Sequence, residues 1–131
     1  MTPDDHQCMP GLRAELQLTV SQADTADAMA CGDVPVLATP RILALAEQAA
    51  MAALDDCLPE GRACVGQWAE ITHEHPTPIG DTVTAEAVLI GVHGRRLEFS
   101  VSLRDSSGEE VAHVRHRRVL ASRERFESPI G

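Results

Sequence analysis

A carboxylate stands midway along an apolar helical stripe. Leu43, Glu47, Ala50 and Leu54 fall at i, i+4, i+7 and i+11, positions that share one helix face. Burying a lone carboxylate costs several kcal/mol. Glu47 therefore needs either an arginine partner or a task as general base or nucleophile. His73 is the second candidate. Strand alternation puts Val65, Gln67, Ala69, Ile71 and His73 on one face, and His73 closes that row just before Pro76-Thr77-Pro78. His75 lies one step along, nearer the break. A histidine in such a row either fills a core or moves a proton. Thr39 precedes Pro40, where a hydroxyl can cap a helix. The same place favours developing negative charge. Gly66 marks either a bulge or close approach of backbone to a substrate. Finally, Arg115, Arg117, Arg118, Arg123 and Arg125 place five of the 11 basic residues within 11 positions. Such a run is a solvated strand face or a set of bidentate phosphate holders.

Positioning these groups takes one helix and five strands. Leu12 to Val20 alternates apolar and polar residues, the period of a half-buried strand. Ser21 to Asp33 reads as a connection. Thr39 as cap and Pro40 at the first helical position start a helix over Arg41 to Asp56. Pro59 and Gly61 end it. It is apolar on nearly every side, which predicts burial in the middle of the fold. Four strands follow: Cys64 to His75, Thr82 to Val92, Arg96 to Arg104 and Glu110 to Leu120. His93-Gly94 turns the second into the third as a tight hairpin. Asp105-Ser106-Ser107-Gly108 is the next turn. Ala121 to Gly131 reads as a frayed end. The order predicts an α+β fold, one helix against an antiparallel sheet. In the second of the four strands both faces are apolar, through Val83, Ala85, Ala87 and Leu89 and through Val88, Ile90 and Val92. The face the helix leaves open predicts a second copy of the chain as its cover.

Composition narrows the function. The 131 residues fit one domain, with a core over about 11–122. The net charge is -9, from 20 acidic and 11 basic residues, and every basic residue is Arg. Excess negative charge argues against nucleic acid. Only Trp68, Phe99 and Phe126 are aromatic, too few for base-stacking platforms. The charge is uneven: residues 1–60 hold 10 acidic and 2 basic residues, residues 61–131 hold 10 and 9. The second half is thus where a phosphate-bearing ligand is tolerated. Cys8, Cys31, Cys57 and Cys64 form no C-x-x-C pair. The first residues lack a basic region followed by an apolar run, and no apolar stretch approaches the ~20 residues of a membrane span. These features predict a cytoplasmic protein with reduced thiols and no membrane partner. His73, His75, His113 and His116 have no spacing of a structural zinc module, so no metal is expected.

Taken together the residues resemble the hotdog-fold thioesterases, and among them the fluoroacetyl-CoA thioesterase-like group. The resemblance rests on Ala38-Thr39, on Glu47 within Leu45-Ala46-Glu47-Gln48-Ala49, and on Val65-Gly66. It continues through Thr72-His73, Pro76-Thr77-Pro78-Ile79-Gly80-Asp81-Thr82-Val83, Gly94-Arg95-Arg96-Leu97 and Arg117-Arg118-Val119-Leu120. It covers about Val34 to Leu120. It implies a hotdog: a long central helix wrapped by a curved antiparallel β-sheet. It implies a homodimer with active sites at the subunit interface. The catalytic threonine, glutamate and histidine of the group fall on Thr39, Glu47 and His73. Its backbone glycine facing the thioester carbonyl falls on Gly66, and a substrate-binding arginine of its last strand on Arg117. One departure bears on specificity. Members selecting fluoroacetyl-CoA carry a gating phenylalanine just upstream of the threonine, whereas Cys31 to Leu37 holds no aromatic.

The expected activity is therefore hydrolysis of a small or medium acyl-CoA thioester, with CoA part of the substrate and no separate cofactor. No Ser or Cys sits in a nucleophile-elbow context. An acidic chain does not attract an acidic carrier protein, which favours CoA as the acyl carrier. The alternative is a non-catalytic acyl-CoA or small-ligand binding module on the same fold; the retained Thr39, Glu47 and His73 count against it. A hydratase would need Asp and His together on one loop, and no segment offers them.

Overall fold

The computed structural model describes residues 6–127. Its elements in chain order are β1 (Arg13–Thr19), a 3-10 turn (Gln22–Asp24), α1 (Thr39–Ala53), β2 (Arg62–His73), β3 (Thr82–His93), β4 (Arg96–Arg104), β5 (Glu110–Ser122) and α2 (Arg123–Glu127). The five strands form one sheet in the order β1-β3-β4-β5-β2, every pair antiparallel. The sheet curves around α1, as the α+β reading and the resemblance both expect.

The core lies between them. Val83, Ala85, Ala87 and Leu89 of β3, and Leu97, Phe99, Val101 and Leu103 of β4, are fully buried. Against them pack Ile42, Leu45, Ala46, Ala49 and Ala50 of α1. The run of alanines lets the helix axis approach the sheet closely, at no rotamer cost on burial. Yet α1 is not buried all round. Leu43, Ala44, Met51 and Ala52 are half-buried and Gln48 is exposed, so one helix face lacks a cover within a single chain. Ile90 of β3, left without a partner residue by a bulge against β4, is exposed too.

Four expectations are corrected. Thr39 does not cap α1. The cap is Ala38, extended at φ -76° and ψ 143°, and Thr39 is already helical, so its hydroxyl is free for another partner. The segment after Leu120 is not simply frayed: β5 runs on to Ser122 and α2 follows, while the expected frayed residues 128–131 lie outside the described ones. Not all thiols are reduced. Cys8 and Cys57, with Cα atoms 5.0 Å apart, form a disulfide that ties the segment before β1 to the chain just past α1; Cys31 and Cys64 are free. Their 49-residue separation carries no sequence signal, and tertiary folding alone brings them together.

The fourth correction concerns β2. It is an edge strand, paired only with β5 among the described residues. A bulge interrupts its register: Gly66 faces Arg118, Trp68 faces Arg117, and Gln67 has no partner residue. The extra residue reverses the alternation. Val65 therefore does not share a face with His73. Cys64, Gly66, Ala69, Ile71 and His73 lie opposite Leu120, Arg118, His116, Val114 and Ala112, all on the core-facing side of β5.

Candidate active site

Two groups of polar side chains face the helix side of the sheet. The first joins the start of α1 to the end of β2. Thr39 Oγ1 lies 2.8 Å from His73 Nδ1. The chain entering α1 is fixed here by several bonds. Leu37 N–H donates to Thr77 O, and Ala38 N–H donates to Asp24 O. The Arg41 Nε–H donates to Asp24 Oδ1 at 3.0 Å. Burial pushes the Asp24 carboxyl up, but hydrogen bonds from Ser21 and Arg41 outweigh it and hold it below the usual range. Burial holds His73 below the ordinary imidazole value, against a hydrogen bond involving the His75 backbone. Its Nε2 is buried and finds no hydrogen-bond partner among the described residues. Buried polar atoms are seldom left unpaired, which marks this nitrogen as a place for a further partner.

The second group surrounds Glu47, whose side chain is 40% exposed rather than sealed in an apolar stripe. Arg118 Nη1 stands 3.5 Å from Glu47 Oε1, and His116 Nε2 stands 3.6 Å from the same oxygen. Arg118 is almost buried. Its Nε–H donates to Cys64 Sγ at 3.2 Å, its Nη2 to Cys64 O at 3.1 Å, and its Nη1 lies 3.0 Å from His116 Nε2. Gly66 closes this group from β2. A Cβ built on it would lie 2.5 Å from Glu47 Oε1 and 3.2 Å from His116 Cε1. Only a residue without a side chain admits the carboxylate so near the backbone. The bulge is what turns Gly66 this way.

Thr39 and His73 are thus together, and so are Glu47 and Gly66. The two pairs are apart. Eight residues of α1 separate Thr39 from Glu47, about 12 Å along the axis. Seven residues of β2 separate Gly66 from His73, on the order of 20 Å of extended strand. Arg117 is not brought to either group. It lies on the other face of the sheet, its guanidinium 5.2 Å over the Trp68 ring and its Nε 3.6 Å from Glu98. The arginine facing Glu47 is Arg118. Sequence reasoning missed Arg118 and His116 as site residues. Their signal lay in β5, where Val114, His116, Arg118 and Leu120 alternate onto the buried face, so two polar groups sit in an apolar row. Among the described residues no set of three or more His, Cys, Asp or Glu could hold a metal ion. No helix among them is long and apolar enough to cross a membrane.

A carboxylate held near an arginine and against a bare backbone can attack or activate water at a carbonyl. A hydroxyl-bound histidine can orient a reactant or pass a proton to a leaving group. Comparison with known proteins points to thioester hydrolysis. The family model described as fluoroacetyl-CoA-specific thioesterase matches residues 20–124. The chain is 35% identical over 95 residues to the fluoroacetyl-CoA thioesterase of Streptantibioticus cattleyicolor, covering 72% of this chain and 68% of that one. A mutant of the fluoroacetyl-CoA-specific thioesterase FlK, solved with fluoroacetate and CoA, superposes with a TM-score of 0.84 at 29% identity, over 92% of this chain and all of that one. A thioesterase superfamily member from Thermus thermophilus shares the fold, with a TM-score of 0.85 at 23% identity over 91% and 88% of the two chains.

Proposed function

The chain belongs to the fluoroacetyl-CoA-specific thioesterase family and is a thioester hydrolase of the hotdog fold, and we propose that it hydrolyses a small or medium acyl-CoA at sites shared by two copies. One observation carries the shared site: the catalytic groups fall into two separated halves on one chain. Thr39 and His73 make one half, with an orphaned His73 Nε2. Glu47 and Gly66 make the other, with Arg118 and His116 packed beside them. The exposed edge of β2 links them. Val65 and Trp68 are exposed on it, and a long open edge invites a second strand. A two-fold dimer in which the β2 edges run antiparallel, centred between Ala69 and Glu70, sets His73 of one copy against Gly66 of the other. Each half then meets its complement, and the open face of α1 is covered.

In that site Glu47 attacks the thioester carbonyl or draws a proton from the attacking water. The Gly66 backbone faces the carbonyl, where an N–H donor stabilises the oxyanion by about 3–4 kcal/mol. The C–S bond breaks as the tetrahedral carbon collapses. The proton drawn from water passes through His73, oriented by Thr39, to the departing CoA thiolate; where Glu47 attacks instead, water then cleaves the acyl-glutamyl anhydride, releasing the acid and restoring the carboxylate. Arg115 and Arg117, on the outer face of β5, are the cations that meet the phosphates of CoA, while the buried Arg118 stays with Glu47. The stretch Cys31 to Leu37 carries no aromatic side chain, so no ring closes over the acyl group, which favours a substrate other than fluoroacetyl-CoA.

The test is complementation. Glu47→Gln and His73→Ala each lose at least about 10²-fold in thiol release from the best acyl-CoA. Mixed by co-refolding, they form dimers in which one of two sites is intact, returning about a quarter of the wild-type rate. Mixed dimers without activity would refute the shared site. Full activity in Glu47→Gln would refute the mechanism.

A further inference from the structure

His116 lies beside the site, is almost fully buried, and has no part in the chemistry above. Its two nitrogens have unlike partners. Nδ1 is 2.9 Å from the Trp68 carbonyl oxygen, next to the β2 bulge. Nε2 is 3.0 Å from Arg118 Nη1. A carbonyl only accepts and a guanidinium only donates. Nδ1 therefore carries the hydrogen, and Nε2 presents a lone pair. Glu47 Oε1, at 3.6 Å from Nε2, is then an acceptor facing an acceptor, with no bond between them. Among the described residues the positive partner of Glu47 is Arg118.

We propose that His116 is a positioning residue: locked as the Nδ1–H tautomer by Trp68, it anchors Arg118 through the Nε2 lone pair and so aims the guanidinium at Glu47. This rests on the reading of Glu47 as the reacting carboxylate. Arg118 Nη1 has two hydrogens. One goes to His116 Nε2, and the other points to Glu47 Oε1 at 3.5 Å. The rest of the guanidinium is tied to Cys64 through Nε and Nη2. These three anchors leave the second Nη1 hydrogen for the carboxylate.

Protonation of Nε2 removes the anchor. Imidazolium cannot accept from Arg118 and repels it. It turns instead into a second cation on Glu47. The groups facing the ring are Glu47 from α1, Arg118 from β5, the Trp68 carbonyl from β2 and the Phe99 ring from β4, 6.5 Å away. Burial, with Arg118, holds His116 below the ordinary imidazole value, against the Trp68 carbonyl and Glu47. The ring is thus neutral at neutral pH, as the anchor requires.

Long-range proton–nitrogen correlation spectra of the nitrogen-labelled protein test this directly. At neutral pH the expected result is a protonated Nδ1 and a bare Nε2 on His116. A protonated Nε2 overturns the proposal. This measurement reads no activity, so it stands whether or not Glu47 is the reacting group, which Glu47→Gln decides separately. Kinetics give the second arm. His116→Leu, which keeps bulk but no acceptor, loses about 10- to 100-fold in kcat, the worth of one charge-assisted hydrogen bond, with KM little changed. His116→Gln, whose amide oxygen can accept from Arg118, recovers most of that loss and moves the acid limb of the pH–kcat profile to lower pH. Equal losses in both variants with the wild-type acid limb retained would overturn the proposal.

Discussion

Replacing Gly66 by alanine adds one methyl group at the point where β2 meets Glu47. The new carbon would stand 2.5 Å from Oε1 and 3.2 Å from Cε1 of His116. To regain an ordinary contact of 3.4 Å the carboxylate must retreat by about 0.9 Å. Displacing a reacting group by about 1 Å costs on the order of 10² in rate. The cost to folding is much smaller. The displaced atom is the far end of a flexible side chain that is 40% exposed, and His116 need yield only a few tenths of an ångström. Alanine also restores about 0.5–1 kcal/mol of backbone entropy relative to glycine within a strand. Gly66→Ala is therefore expected to fold with an unchanged or slightly raised melting temperature and to lose about 100-fold in kcat. Free thiol released from an acyl-CoA panel, read with a chromogenic disulfide, gives the rate. A thermal melt gives the stability. A wild-type rate would show that the carboxylate does no work in its observed place. A rate loss matched by a collapse in stability would show that Gly66 serves only packing.

Two further outcomes concern stability. The Cys8–Cys57 bridge closes a 49-residue separation, for which chain entropy gives about 4 kcal/mol as an upper figure; Cys8→Ser is expected to lower the urea unfolding free energy by about 2–4 kcal/mol. An unchanged midpoint, with the m-value unchanged, would show that the bridge contributes nothing. His73 and His116 are both held below 6.5, by burial first in each case. The unfolded chain therefore takes up protons that the folded chain refuses. Stability is fully present above about pH 6.5 and is lost as pH falls from there through the folded values, so the melting temperature should drop between about pH 7 and pH 5. A flat profile over that window would contradict the burial of both rings.

How much of this was legible depended on whether a signal was local. β4 matched its expected bounds, Arg96 to Arg104, because strict alternation runs between two turns written in Gly94 and in Asp105 to Gly108. The body of α1 was legible from its alanine, leucine and methionine content. Its first residue was not, because Ala38 caps by backbone conformation and leaves no side-chain mark. The β2 bulge was invisible for a deeper reason. An extra residue reverses the faces only when a partner strand sets the register, and β5 lies some fifty residues away. That one fact moved Val65 off the face of His73, turned Gly66 to Glu47, and showed that Arg118 rather than Arg117 faces the carboxylate. The resemblance named Thr39, Glu47 and His73. Their division into two distant halves follows from the lengths of a helix and a strand and from the register of β2 on β5, which no local pattern records.

The guanidinium stacked on Trp68 has an optical consequence. The chain has one tryptophan and no tyrosine, so nearly all its near-ultraviolet absorption and emission come from one indole. That indole sits on the open edge of the sheet, one residue past the bulge, with a cation over its face. Its fluorescence thus reports the surroundings of the β2 edge undiluted by any other part of the molecule. The same scarcity that leaves the protein faint at 280 nm gives it a native, single-site probe where two copies would meet.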